Sequence, residues 1–171
     1  MKRWSCPEIT YPPITGGLDE FFSISTDDKY LDLLEYSGGR IMVQLIATEK
    51  SRSLLLWNPE YMAKFSKTEL FCCDGTFSRY PAIAPKLQTK HHQLYVIHAI
   101  LENSAFPVAW ILMNRKTEVS YYSICTVIFK DFKNYSKVIM TDYELASRNA
   151  LKKCMPLADI RGCFFHLSQA I

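Results

Sequence analysis

Three apolar segments follow one another in the middle of the chain with no helical pattern between them, and this feature restricts the fold most. They are Leu70–Cys73, His92–Leu101 and Phe106–Met113, each of strand length. The sequence Glu102–Ala105 supplies a turn between the last two. Strands that are joined without a helical crossover pair in antiparallel fashion. The pattern therefore predicts an antiparallel three-strand meander.

Helices and strands alternate after the meander. Thr117 is a typical helix N-cap, and Glu118 complements the positive end of the helix dipole. The apolar face of this helix is predicted from the spacing of Tyr121, Tyr122, Cys125, Ile128, Phe129 and Phe132. Further patterns predict a strand over 137–141, a helix over 143–153, a strand over 157–163 and a helix from residue 164. This order is typical of an α/β sheet of mixed strand direction.

The first part of the chain carries weaker patterns. Residues 1–40 are punctuated by proline and glycine, whereas Arg40–Ile46 has the composition of a strand. Asn58 followed by Pro59 predicts the start of a helix that ends near Ser66. We therefore divide the chain into a partly ordered N-terminal segment, residues 1–66, and a C-terminal domain, residues 67–171.

The composition excludes several classes of protein. Hydrophobic residues make up 49% of the chain and charged residues 22%, which is typical of globular domains and not of disordered chains. The longest apolar run, Ala105–Met113, is far shorter than the roughly 20 residues of a membrane helix. Since no apolar segment follows the charged start, no secretory signal is predicted. We expect a soluble intracellular protein whose six cysteines are free thiols.

Charge is distributed unevenly along the chain. The formal net charge is +3, made up of −2 over residues 1–66 and +5 over residues 67–171. An excess of this size does not by itself indicate a nucleic-acid-binding protein. Lys86 and Lys90, between the first two strands of the meander, are candidates for phosphate contacts.

Two aspartates stand at the ends of predicted strands. Asp74 follows the first strand of the meander, and Asp142 follows the strand after the long helix. Open α/β sheets place their sites at these carboxyl ends, where two carboxylates can converge. Their mutual repulsion is relieved by a proton or a divalent cation, and Mg²⁺ or Mn²⁺ suits such oxygen ligands. Two such ions about 3.5–4 Å apart promote phosphodiester hydrolysis and strand transfer.

A structural role for each aspartate is the competing interpretation. Asp74 is followed by Gly75, and Asp-Gly is a common turn. Asp142 precedes a predicted helix and is a candidate for its N-cap.

Six segments together carry a family resemblance through their order and spacing. They are Phe71–Phe77, His92–His98, Phe106–Val108, Asn114–Glu118, Ile139–Ala146 and Gly162–Ile171. This part of the chain, about residues 67–171, resembles the transposase domain of Mutator-like elements (MULE). The resemblance implies a ribonuclease-H-like fold and a DDE-type acid triad that acts with divalent metal on DNA ends. It also implies DNA as a partner and a nuclear location.

The resemblance assigns roles to four residues. By motif match, Asp74 corresponds to the first acid of the triad and Asp142 to the second, both as catalytic residues and metal ligands. Cys163 and His166 match a Cys-x-x-His element and become neighbours of the active site. The third acid of the family lies beyond this element, and Glu144 does not match it. We therefore expect a C-terminally truncated domain that does not cleave DNA efficiently alone.

The remaining expectations concern other metals and other functions. A structural zinc site takes four ligands, and the adjacent Cys72 and Cys73 point to opposite faces of a strand, so zinc is not expected. The alternative to an enzyme is a non-catalytic remnant that acts as a DNA-associated or protein-interaction module. The sequence leaves homo-oligomer formation open.

Overall fold

A computed structural model describes residue 14 and residues 16–37, 39–76, 92–132 and 134–169. The helices are α1 (Leu18–Ser25), α2 (Pro59–Ala63), α3 (Glu118–Ile128), α4 (Leu145–Cys154) and α5 (Phe164–Gln169), with a 3₁₀ helix at Asp28–Leu34. The strands are β1 (Glu35–Tyr36), β2 (Gly39–Arg40), β3 (Met42–Ala47), β4 (Arg52–Trp57), β5 (Leu70–Thr76), β6 (Gln93–Leu101), β7 (Ser104–Met113), β8 (Val138–Thr141) and β9 (Asp159–Gly162). Lys86 and Lys90, the candidates for phosphate contacts, lie outside the described residues.

A seven-stranded mixed sheet organises the molecule. Its strand order is β3-β4-β7-β6-β5-β8-β9, while β1 and β2 form a separate two-stranded ribbon. In this order, the neighbours among β3, β4, β7, β6 and β5 are antiparallel to each other. Strand β8 is parallel to β5, and β9 is parallel to β8. The antiparallel meander, which is β5, β6 and β7, is confirmed. The mixed α/β class is confirmed as well.

The turn between β6 and β7 has the backbone that a tight hairpin requires. Glu102 and Asn103 have φ values of 49° and 63°, in the left-handed region. Two successive residues with positive φ match the right-handed twist of the flanking strands. Asparagine tolerates this conformation better than most residues. The predicted turn is thereby confirmed between Leu101 and Ser104, which pair with each other.

Strand β4 is the main element that the sequence analysis does not predict. It lies between β3 and β7 and is paired with both. Leu54 and Leu55 are both fully buried, so the strand lacks the alternation that marks a half-exposed strand. The observed β3 begins at Met42, because Arg40 belongs to the short strand β2. The sheet therefore crosses residue 66, and the division into two domains at that position stays a prediction.

The two faces of the sheet bury different apolar clusters. Because successive side chains of a strand point to opposite faces, Leu55 joins the larger cluster and Leu54 the smaller one. The larger cluster includes Ile124 of α3 and Leu151 of α4, whereas the smaller one includes Leu18 of α1. Helices α3 and α4 therefore cover one face, and α1 covers part of the other.

Helix α3 begins as predicted and ends earlier. The Oγ1 of Thr117 accepts the N–H of Ser120 at 3.2 Å, which confirms the N-cap. The helix ends at Ile128, and the predicted apolar face continues into the turn that follows, where Phe132 is buried. Tyr122 was expected on the buried face but is 42% exposed. The apolar face that α3 buries is therefore narrower than predicted, because the helix has only eleven residues and Tyr122 lies outside its buried side.

The predicted strands and helices after α3 are present with shorter bounds. The strand predicted over 137–141 is β8, and the strand predicted over 157–163 is the shorter β9.

The predicted helix before the meander is α2. It is capped by Asn58, whose Oδ1 accepts the N–H of Tyr61 at 2.9 Å, and its α-helical part ends at Ala63 rather than Ser66. In the described part of the chain, no helix is long and apolar enough to cross a membrane.

We expect Leu55→Ala to lower the free energy of unfolding by about 2–5 kcal/mol, since it removes a fully buried side chain from the core. Leu157→Ala, at a side chain that is 59% exposed, is the matched control and should change it by about 0.5 kcal/mol or less. Urea unfolding measures both. Equal effects of the two substitutions would show that β4 lies outside the cooperative core.

Candidate active site

Asp74 and Asp142 belong to two neighbouring parallel strands: Asp74 lies inside β5, and Asp142 directly follows β8. Asp74 and Gly75 are both paired with β6, so the interpretation of this Asp-Gly pair as a turn is wrong. Cys73 of β5 is paired with Thr141 of β8, and each aspartate is the next residue in its chain. Paired strands lie about 4.8 Å apart, which brings the two residues together. Burial raises the pKa of the Cys73 thiol to about 12, and the negative charges of Asp142 and Asp74 add to this rise. Both carboxylates therefore act on the same thiol.

Asp74 leaves the core on the face that α3 and α4 do not cover. Cys73 is buried, and alternation along β5 sends the side chain of Asp74 to the opposite face. The Asp74 side chain is 54% exposed, and Asp142 is half-buried. We call this side of β5, β6 and β8 the acid face. It combines two acids with access from solvent.

Asp142 is held by the turn that leads into α4. Its Oδ1 accepts the N–H of Glu144 at 3.1 Å. The N-cap of α4 is Glu144 rather than Asp142, and no side chain caps the helix. The competing interpretation of Asp142 as an N-cap is therefore wrong, although the residue does order the turn. This hydrogen bond engages one carboxylate oxygen and fixes the orientation of the group.

The Cys-x-x-His element lies against the acids. The N–H of Cys163 donates to the carbonyl of Thr141 at 2.8 Å, directly after β9. The Nε2 of His166, on α5, lies 3.5 Å from Oδ1 of Asp74. Burial raises the pKa of Cys72, and the nearby Cys163 raises it further. The structure thus brings Asp74, Cys163 and His166 to one edge of the sheet.

His98 also faces the acids, which the sequence analysis did not predict. It is half-buried on β6 and is paired with Cys72, two residues before Asp74. Burial lowers the pKa of His98, while the charge of Asp74 acts in the opposite direction. Counting by twos from Asp74 along the antiparallel pair would have placed it on the acid face.

A buried polar network lies behind the acids, on the core side of the sheet. The hydroxyl of Tyr121 donates to Oε2 of Glu144 at 3.1 Å, and Nε2 of Gln93 donates to the same hydroxyl. Nζ of Lys116 lies 3.8 Å from Oε2 of Glu144. Burial and the charge of Glu144 raise the pKa of Tyr121, so the phenol stays protonated. Three elements, β6, α3 and the start of α4, are joined by this network.

The network reaches the residues next to both acids. Gln93 is 1% exposed, and its Oε1 would lie 2.6 Å from a Cβ at Gly75, the residue after Asp74. A side chain at position 75 would therefore displace Gln93. At the other end, Glu144 supplies the N–H that holds Asp142. The network thus connects the end of β5 with the turn after β8.

Glu144 is a partner within this network. Burial raises its pKa, and Asp142 raises it further, while the charge of Lys116 and the hydrogen bond from Tyr121 lower it. Its Oε2 is engaged by Tyr121 and lies near Lys116. Sequence analysis gave Glu144 no role, because its partners lie on α3 and in the segment before it. A glutamate two residues after a candidate acid carries no signal for such contacts.

The described residues contain no group of three or more His, Cys, Asp or Glu side chains that is arranged to hold a metal ion. The site therefore offers its two carboxylates as the principal oxygen donors. Cys73 is buried in the core and Cys72 is half-buried on the other face, in agreement with their expected alternation.

Comparison with protein families decides the identity of the domain. A family model, the MULE transposase domain, matches residues 71–170, which is more than half of the chain. The chain belongs to the MULE transposase domain family. The match includes Asp74, Asp142, Cys163 and His166, so the site lies within the MULE domain. No curated protein and no solved structure shows a significant match.

We expect Tyr121→Phe to lower the free energy of unfolding of the MULE domain by about 1–3 kcal/mol, because Gln93 and Glu144 each lose a hydrogen-bond partner. Tyr122→Phe removes the same hydroxyl from the neighbouring, exposed tyrosine and should change it by about 0.5 kcal/mol or less. Chemical denaturation measures both. A loss of the same size in both variants would contradict the network.

Glu144→Gln should change how stability depends on pH. The pKa of Glu144 is raised on folding, so its contribution is complete below 4.5, its ordinary value, and is lost as the pH rises through the raised pKa. The variant should therefore gain stability relative to the wild type as the pH increases across this window. Unfolding free energies measured on both proteins from pH 4 upward, in steps of roughly half a unit, test this. A difference that is constant or falls with pH would contradict it.

Proposed function

We propose that Asp74 and Asp142 together bind a divalent cation, Mg²⁺ or Mn²⁺, and that the MULE domain takes part in metal-dependent cleavage and transfer of DNA strands. The observation that carries this proposal is the pairing of Cys73 with Thr141, which places the two following carboxylates on neighbouring parallel strands, within the residues that match the family. Transposition is the function that the family indicates, and DNA is the corresponding partner.

The donor chemistry fits such a cation. Mg²⁺ is usually held by one or two carboxylates, with water and substrate phosphates in the other positions. Asp74 is accessible to solvent, and Asp142 is oriented by the N–H of Glu144. Two carboxylates at adjacent strand ends repel each other, and a divalent cation relieves this repulsion. A preformed cluster of three protein ligands is not needed for this mode of binding.

The chain's own residues supply positioning around that cation. When bound, the metal would polarise a phosphoryl oxygen and favour the ionisation of water. Asp142 is held in one orientation, and His166 at 3.5 Å restricts the position of Asp74. Glu144 is engaged by Tyr121 and lies near Lys116, which supports a structural role and not that of a third catalytic acid.

The strand order supports a ribonuclease-H-like fold as part of the proposal. The meander β7-β6-β5 is antiparallel, and β8 and β9 then add to it in parallel. This is the mixed sheet that the sequence resemblance implied. Asp74 lies on the inner strand β5, and Asp142 directly follows its parallel neighbour β8. Action on DNA ends would also be in accord with a nuclear location.

Titration with Mn²⁺, followed by electron paramagnetic resonance of the free ion, tests the proposal. Wild-type protein should bind the ion, and Asp74→Asn or Asp142→Asn should each weaken binding roughly tenfold or more, since each removes a ligand. Asp159→Asn is the matched control, because Asp159 is exposed and pairs with Arg161 at 2.8 Å.

The control variant should bind Mn²⁺ like the wild type. Binding that survives in both Asp74→Asn and Asp142→Asn, or no binding by the wild type, would contradict the proposed metal site. The alternative of a non-catalytic remnant, with a DNA-associated or protein-interaction role, would then be favoured.

A further inference from the structure

A groove opens directly beside Asp142, between the start of α4 and strand β9. It encloses about 500 Å³. Its lining residues are Tyr143, Leu145, Arg148, Asn149, Lys152, Asp159 and Ile160. Tyr143, the residue after Asp142, forms the end of the groove that is nearest to the acids. The lining of the groove therefore begins one residue after Asp142.

Tyr143 packs closely on the backbone of β9. A Cβ at Gly162 would lie 2.4 Å from Cζ and from the hydroxyl of the tyrosine, so a side chain at this position would displace the ring. The guanidinium of Arg148 lies 5.6 Å from the centre of the same ring. A cation at this distance from an aromatic ring is attracted to it. Tyr143 thus fixes the position of Arg148 in the groove.

The cationic side chains of the groove form a row along α4. Arg148 and Lys152 are four residues apart and so lie on the same side of the helix. Lys152 also donates to the carbonyl of Ala158 at 3.2 Å, which holds it near β9. The acid of the groove, Asp159, is paired with Arg161 at 2.8 Å. The charge of the row therefore remains positive after this pairing.

The other lysine at the end of α4 faces elsewhere. Nζ of Lys153 contacts Oε1 of Glu118 on α3. Helix α4 therefore carries two cations that line the groove, Arg148 and Lys152. It also carries a third, Lys153, whose charge is neutralised by Glu118 of α3. This difference provides a control within a single element.

We propose that this groove binds the sugar-phosphate backbone of a DNA strand, with Arg148 and Lys152 as its phosphate contacts. The inference rests on the proposed function for the position of the reacting phosphate at Asp74 and Asp142. A planar guanidinium pairs with two phosphate oxygens at once, and its prior fixation by Tyr143 reduces the entropy lost on binding. The strand would run along α4 from Tyr143.

Fluorescence anisotropy with a labelled short DNA duplex, at low salt and with EDTA present, tests the groove without the metal. Arg148→Ala and Lys152→Ala should each weaken binding by roughly threefold to tenfold and lower the slope of log K against log salt by about 1. Lys153→Ala removes an equal charge from the same helix and should weaken binding by less than about twofold.

Two substitutions that change no charge test whether DNA binding depends on the position of Arg148 or only on the net charge of the protein. Tyr143→Leu should weaken binding in the same direction as Arg148→Ala, although it changes no charge, because Arg148 loses its support. Tyr143→Phe keeps the ring and should retain wild-type affinity. Urea unfolding of each variant identifies any that fail to fold. If Tyr143→Leu fails to fold, the comparison of Arg148→Ala with Lys153→Ala decides.

The outcomes distinguish this inference from the proposed function. No binding of DNA by the wild type, or equal losses in Lys153→Ala and Arg148→Ala, would overturn the groove. Displacement of the duplex by poly-glutamate at equal charge concentration would also overturn it and indicate an acidic protein partner. The anisotropy measurement is made in EDTA, so it does not depend on a metal at Asp74 and Asp142. Failure of the Mn²⁺ titration alone would therefore leave the groove intact.

Discussion

The parallel pairing of β5 with β8 is the constraint on which the rest of the structure depends. It sets Cys73 opposite Thr141 and turns both side chains into the core. Asp74 and Asp142 are the residues that follow this pair, so the register places them next to each other. Pairing of β8 with β9 extends the same row, because the N–H of Cys163 bonds to the carbonyl of Thr141. The acid site is therefore arranged by backbone hydrogen bonds.

Two kinds of contact on the core face stabilise this pairing: apolar packing at the start of β5 and hydrogen bonds near the acids. Phe71, at the buried start of β5, packs edge-on against Phe129 and Phe132 at 5.5 and 5.7 Å between ring centres. Toward the acids, the apolar contacts give way to the hydrogen bonds of Tyr121 with Gln93 and Glu144. Burial of these polar groups is tolerated because they bond to each other. The end of the sheet that carries the acids is thus packed on its core side and open to solvent on its acid face.

The meander, the alternation of helices and strands, and the neighbouring positions of Asp74 and Asp142 could be predicted from the sequence, because each depends on local patterns. Strand β4 escaped prediction since its leucines are buried on both faces and show no alternation. The partners of Tyr121 and the contact of Tyr143 with Gly162 join segments that are distant in the chain. Only the register of the sheet and the packing of α3 and α4 bring these residues together. His98 is intermediate, since its place follows from strand pairing once the register is known.

The central claim is that Asp74 and Asp142 act as one metal-binding unit because β5 and β8 are paired. Anomalous diffraction from crystals that are soaked in Mn²⁺ tests it most directly. The account predicts an anomalous peak between the two carboxylates, within bonding distance of an oxygen from each. An anomalous peak at other residues, with none between Asp74 and Asp142, would contradict it.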